Sequence, residues 1–152
     1  MQYHIKLESV QSELIAAVRA TVPPRDISRA WKPALDQVWG FLKKHEELGH
    51  QHNLFFYHHP EGSGEEMNID FGVQVTRRFE PEGNVRCVET PSGEVATTLH
   101  VGPYEHLRAA HDALQAWCVS HRRKIGPASW EIYGDWNNDP AQLETTIKYL
   151  LL

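Results

Sequence analysis

The pattern of the first half of the chain returns in the second half. Each half reads as a strand, a Pro-containing break, an amphipathic helix, a glycine, an aromatic strand, a turn and a long strand. FYHHP (56–60) corresponds to IYGDW (132–136), and MNIDFGVQV (67–75) to LETTIKYLL (143–151), each at an offset of 76 residues. Val22 corresponds to Val101 at an offset of 79, so only a loop has changed length between the copies. A repeat of this kind constrains the fold more than any single motif does. One copy supplies three strands and one helix, too little to bury both faces of its own sheet. Two copies, about 10–79 and 86–152, predict one α+β domain spanning 1–152. Its expected form is duplicated strand–helix–strand–strand modules making a curved antiparallel sheet with two helices.

Local signals place the elements. Strands are expected at 3–9 and 13–22, with Pro23-Pro24 ending the second. Ile27, Trp31, Leu35, Val38 and Leu42 recur at helical spacing, and Gly49 is the expected stop. Pro33 lies inside that run, so the helix either starts near it or is kinked in its first turn. A short aromatic strand follows at 53–59, a turn at 60–66 and a long strand at 67–79. In that strand Ile69, Phe71, Val73 and Val75 share a face. After a mixed-charge joint at 80–84 come strands at 84–91 and 94–101. Gly102-Pro103 then opens a helix whose apolar stripe is Leu107, Ala110, Leu114, Trp117, Cys118 and His121. Gly126-Pro127 is expected to end it, before strands at 129–136 and 143–151.

Composition excludes several classes of function. With 152 residues, 41% of them hydrophobic, the chain can bury a real core. A net charge of −5 with no basic stripe argues against direct contact with nucleic acid. The polar N-terminus is no signal peptide and no apolar run approaches ~18 residues, so no membrane span is expected and the protein reads as cytoplasmic. Two cysteines, Cys87 and Cys118, read as reduced, buried thiols. There are ten histidines, but His50-x-His52 and His58-His59 lack a third ligand at zinc-site spacing. No axial ligand for a haem stands out, and no cofactor is expected. Neither a G-x-S-x-G elbow nor a phosphate-binding loop occurs.

WEIYGDW (130–136) carries the chemistry. In a strand, Trp130, Ile132 and Gly134 share one face and Glu131, Tyr133 and Asp135 the other. The repeat gives Phe55 as the counterpart of Glu131, so the architecture itself does not require an acid there. Glu131 could sit on a wet face, or pair with Arg122, Arg123 or Lys148. The other reading is an apolar cleft with one acid at its floor. Such a site suits an aromatic cation, held by ring faces worth ~0.5–2 kcal/mol per contact and by a carboxylate that water does not screen. Tyr57, Tyr104, Tyr133, Trp39 and Phe71 are the candidate walls.

HVGPYEHL (100–107), the following helix, GPASWEIYGDW (126–136) and LETTIKYLL resemble the GyrI-like effector-binding domain family. RATVPPRDISRAWKPALDQVWGFL matches it more loosely. The resemblance implies the duplicated fold above and a central cleft for bulky, often cationic, aromatic drugs or toxins. It assigns the ligand-contacting acid to Glu131 and the G-P-Y tyrosine to Tyr104. It also implies an alternative, because some relatives hydrolyse strained cyclopropane-bearing toxins with a glutamate. Glu131, with Tyr133 or Tyr104, would then be the catalytic residue. With both modules accounting for all 152 residues, no helix-turn-helix is expected. By analogy alone, the partners beyond a small-molecule ligand would be a DNA-binding subunit or gyrase.

Overall fold

The structure is a computed structural model that describes residues 2–59 and 66–152. Nearly all of the turn expected at 60–66 lies outside the described residues. The chain forms an α+β fold: β1 (Lys6–Val10), β2 (Leu14–Val22), α1 (Ile27–Lys43), β3 (Asn53–His58), β4 (Met67–Val75), β5 (Arg86–Glu89), β6 (Gly93–Val101), α2 (Leu107–Ser120), β7 (Ile125–Tyr133) and β8 (Glu144–Leu151). The strands make one antiparallel sheet in the order β1-β6-β8-β7-β3-β4-β2-β5. The units β2-α1-β3-β4 and β6-α2-β7-β8 therefore have the same connectivity, and they meet where β3 pairs with β7.

Both helices cover one face. Directly paired residues point to the same side of a sheet. Phe55 pairs with Glu131 and Glu131 with Ile147, so these three share the helix side. Under α1, Val38, Phe41 and Leu42 pack on Val18, Phe55, Phe71 and Val73. Under α2, Ala110, Leu114 and Cys118 pack on Ala96, Ile147 and Tyr149. The opposite face carries its own cluster, with Ile15, Ala17, Leu54, Phe56, Val95 and Trp130.

Several boundaries differ from the sequence reading, and β7 ends at Tyr133, so Gly134, Asp135 and Trp136 lie beyond the strand. Helix α1 runs unbroken through Pro33 and stops at Lys43, and a separate 3-10 turn (Glu46–Leu48) reaches Gly49 in the left-handed region. Pro33 is the seventh residue of the helix, so its missing N–H leaves the Arg29 carbonyl without its intrahelical donor, yet the helix continues past it. Gly126-Pro127 does not separate α2 from the next strand but lies inside β7, where the ladder with β8 shifts register between Ile125 and Ser129. A bulge accommodates a residue with no N–H. Finally, β4 ends at Val75 rather than at 79. Cys118 is buried, whereas Cys87 is only half-buried.

Gly72 is required by close approach. A Cβ there would lie 2.8 Å from the Ala16 carbonyl oxygen and 3.1 Å from Ala17 Cβ. Those atoms belong to the paired strand and cannot yield cheaply. Gly72→Ala is expected to cost about 1–3 kcal/mol, read from the urea midpoint.

On the face away from the helices, Asp70 is wholly buried. It accepts hydrogen bonds from Arg19 Nε (3.1 Å) and Nη2 (3.0 Å), from Arg86 Nη2 (3.1 Å) and from His58 Nε2 (2.7 Å). Burial opposes the anion, but the hydrogen bonds from His58 and Arg19 and their charge hold its pKa below the usual aspartate value. A depressed folded-state pKa stabilises the fold above the unfolded value of about 3.9, and that contribution is lost as pH falls through the folded value. Asp70→Asn is therefore expected to lose about 1–2 kcal/mol at neutral pH, a figure discounted because both arginines are partly solvated. Its acid unfolding should begin from a lower plateau and slope less steeply, as denaturant titrations at stepped pH would show.

Candidate functional site

A cleft of about 680 Å³ opens on the helix side of the sheet. Ile27, Trp31, Leu35 and Trp39 form one wall, four successive turns of α1. Phe55 and Tyr57 of β3 and Tyr133 of β7 form the floor, and Tyr104 stands opposite α1. Aromatic rings interlock across it. Tyr133 meets Phe55 edge-on at 4.8 Å and Tyr104 edge-on at 5.4 Å, and Trp31 lies 6.3 Å from Phe55. At the rim are Glu105, Asp135 and Trp136, with Asp135 2.8 Å from His52 Nε2.

Glu131 lies immediately behind this floor and is only 4% exposed. Its Oε1 accepts from the Tyr57 hydroxyl at 2.6 Å and the Tyr133 hydroxyl at 2.7 Å. Its Oε2 accepts from His111 Nε2 at 2.6 Å, and His111 Nδ1 is 2.6 Å from the Tyr149 hydroxyl. Burial works against the carboxylate, yet the hydrogen bond and positive charge of His111, and then the hydrogen bonds from Tyr133 and Tyr57, hold its pKa below the usual glutamate value. Burial, and then the Glu131 charge, push both tyrosine hydroxyls well above their ordinary pKa. They therefore stay protonated and act as donors.

Of the residues singled out from sequence, Tyr57, Tyr104, Tyr133 and Trp39 line the cleft. Glu131 touches it only through the two hydroxyls. Phe71 does not line it: the ring is fully buried and packs edge-on behind Phe55 at 4.8 Å. Two of the three ion partners considered for Glu131 are engaged elsewhere, Arg123 with Glu94 and Lys148 with Glu8.

His111 and Tyr149 were missed. His111 stands four residues after Leu107 and three before Leu114, a polar side chain on the apolar stripe of a helix. Tyr149 alternates with Ile147 and Leu151 on the buried side of β8, and a buried hydroxyl needs a partner.

Among the described residues, no cluster of three or more His, Cys, Asp or Glu side chains could hold a metal ion. His58 and His59 turn to different partners, Asp70 and Ser129. His100 is buried between the Tyr3 hydroxyl and the Pro103 carbonyl. Among the described residues no helix is long and apolar enough to cross a membrane.

Solved structures share the fold. The C-terminal domain of EcmrR is 22% identical with a TM-score of 0.80, over 100% of this chain and 99% of that one. In a structure of an EcmrR–DNA complex, the same likeness spans 98% of this chain and 57% of that one, with a TM-score of 0.76. A hydrolase encoded by lin2189 from Listeria innocua is 10% identical with a TM-score of 0.69, over 97% and 91% of the two chains. SAV2435, solved bound to tetraphenylphosphonium, is 11% identical with a TM-score of 0.67, over 100% and 94%. Comparison with curated proteins gave no match. The profile of the GyrI-like small molecule binding domain matches residues 1–150, and the chain belongs to that family.

Proposed function

We propose that this domain binds a bulky, apolar, positively charged aromatic molecule in the cleft, with Glu131 as the buried counter-charge. The observation that carries this reading is the orientation of the two floor tyrosines. Tyr57 and Tyr133 spend their hydroxyl hydrogens on Glu131. Their oxygens therefore offer only lone pairs to the cleft, and their rings offer negative faces. A cation satisfies such a floor and an anion does not. The rim agrees, since Glu105 and Asp135 are acids and His52 is the only basic side chain among the described lining residues. Tetraphenylphosphonium, the ligand of SAV2435, has the matching chemistry.

The same arrangement disfavours the hydrolase alternative. Both oxygens of Glu131 already accept hydrogen bonds, and a base must reach the proton it removes. The DNA-bound relative suggests a DNA-binding protein partner for the domain, by analogy alone.

Tetraphenylphosphonium titration tests the reading, with Trp31, Trp39 and Trp136 at the cleft as fluorescent reporters. Saturable micromolar quenching is expected. Absence of binding, together with turnover of a cyclopropane-bearing toxin that is lost in Glu131→Gln, would replace the binding reading with the hydrolase.

A further inference from the structure

The units β2-α1-β3-β4 and β6-α2-β7-β8 differ at their outer edges. At one, β1 begins with Lys6 against Thr97 of β6, and at the other β5 begins with Arg86 against Ala17 of β2. The chain ahead of β1 stays beside β6. The His4 carbonyl accepts from Thr98 Oγ1 at 2.7 Å, and the Tyr3 hydroxyl lies 2.8 Å from His100 Nδ1. Tyr3 and Ile5 pack against the cluster that holds Ala110 and Leu114 of α2. The chain ahead of β5 leaves β2. Val85 joins the cluster under α1 as Ile5 does under α2, but Glu82 and Val85 then close a tight turn with backbone bonds of 3.0 Å in both directions. Gly83 stands before Arg86 as Tyr3 stands before Lys6, and it has no side chain. A groove of about 520 Å³ is left between α1 and the edge of β2. Val18 and Ala20 form its floor and Ala30 and Ala34 its helix wall. Asn84 Nδ2 donates to Gln37 Oε1 at 3.1 Å and closes one end.

The strand edge beside this groove is open. Thr90 N–H donates to the Glu13 carbonyl at 2.8 Å and Glu13 N–H to Thr90 Oγ1 at 2.8 Å, so Glu13 turns both backbone groups to the β5 side. Along a strand, successive residues turn these groups to alternate sides. Ile15, Ala17, Arg19 and Thr21 therefore turn theirs the same way, but β5 covers no residue past Ala17. Among the described residues no strand lies against Arg19 and Thr21 on that side. On the face away from the helices the same edge is basic. Arg19 and Arg86 both reach Asp70 Oδ1, which holds the two guanidinium groups side by side. One carboxylate balances one of the two charges. Each guanidinium has five N–H donors, of which Arg19 directs two and Arg86 one at Asp70.

We propose that this edge docks an extended segment of a partner protein in which a bulky apolar residue adjoins an acidic one. The segment adds a strand beside β2, and its backbone pairs with Arg19 and Thr21. Successive side chains of a strand point to opposite faces. The apolar side chain therefore enters the groove under α1, the place that Tyr3 fills under α2, and its acidic neighbour meets Arg19 and Arg86. In strand addition main-chain bonds give affinity and side-chain pockets give specificity. A second copy of this chain fits less well, because pairing β2 with itself brings like-charged Arg19 side chains together on one face. The groove is distinct from the cation cleft, which Trp31, Leu35 and Trp39 line from another flank of α1.

Amide hydrogen exchange on the nitrogen-15-labelled protein tests the proposal. In the free protein the Arg19 and Thr21 amides are expected to exchange fast, while those of Val18 and Ala20, which turn to β4, are protected. The probe is a short end-blocked peptide alternating tyrosine and glutamate, with lysine in place of glutamate as the control. Saturable binding of the glutamate peptide is expected to slow exchange at Arg19 and Thr21. The lysine peptide should bind at least about tenfold more weakly. Ala30→Phe, which fills the groove and leaves both arginines in place, should weaken the glutamate peptide, and Arg86→Gln should narrow its advantage over the lysine peptide. The two peptides and the exchange pattern in wild type decide the matter even where a variant folds poorly. Slow exchange at Arg19 and Thr21 in the dilute free protein, or protection there that grows with protein concentration and so assigns the edge to a second copy, would overturn the proposal. So would a glutamate peptide that does not bind, or a lysine peptide that binds equally well.

Discussion

Glu131→Leu is expected to lower the unfolding free energy by about 2–4 kcal/mol. Two effects oppose one another. Leucine removes a carboxylate that is only 4% exposed, so its desolvation cost disappears. It also strands three donors: the Tyr57 and Tyr133 hydroxyls and the His111 Nε2–H. The tyrosines can swing towards cleft water. His111 is held by Tyr149 on its other nitrogen and has less freedom. Each stranded donor costs about 1–3 kcal/mol, and together they exceed the saving on desolvation. Urea unfolding measures the loss. A change within about 0.5 kcal/mol would mean that the cluster relaxes without cost, as an exposed network does.

Glu131→Gln is expected to weaken cation binding by about 10- to 100-fold while leaving the fold intact. Glutamine is isosteric and keeps an acceptor, and a tyrosine hydroxyl can turn to accept from its amide. What is lost is charge. A ligand cation on the far side of a tyrosine hydroxyl is roughly 6 Å from the carboxylate. At an effective dielectric of about 20 this is worth about 3 kcal/mol, the upper end of the predicted range. Solvent entering the open cleft gives the lower end. A neutral aromatic of the same size should bind both proteins alike, because the ring contacts are unchanged.

The parts of the fold that rest on local periodicity were legible in the sequence. The alternation in WEIYGDW put Glu131 and Tyr133 on one face, and the contact between the Tyr133 hydroxyl and the carboxylate follows from that. The repeat offset of 76 made Phe55 the counterpart of Glu131, and these two are direct partners across β3 and β7, at the junction of the two units. Leu54 with Ile132 and Phe56 with Trp130 flank them symmetrically, which supports the proposed duplication. Local signals failed where a breaker was tolerated by its setting. Pro33 lies inside α1, which continues past the lost donor, and Gly126-Pro127 sits in a bulge. Tertiary partners were not legible at all. His111 reaches Glu131 from another element, and Asp70 draws Arg19 and Arg86 from β2 and β5, the next two strands along the sheet from β4, an order that no local signal gives. Phe71 shows the converse limit. Its alternation marked the helix face correctly, but not that Phe55 stands between it and the cleft.

The central claim is that the floor of the cleft selects positive charge through Glu131. Calorimetric titration of wild type and Glu131→Gln with tetraphenylphosphonium and with tetraphenylborate, a pair alike in shape and opposite in charge, tests it most directly. The account predicts that wild type binds the cation and rejects the anion, and that Glu131→Gln narrows the difference by at least about tenfold. Equal binding of both ions to wild type, or an unchanged preference in Glu131→Gln, would contradict it.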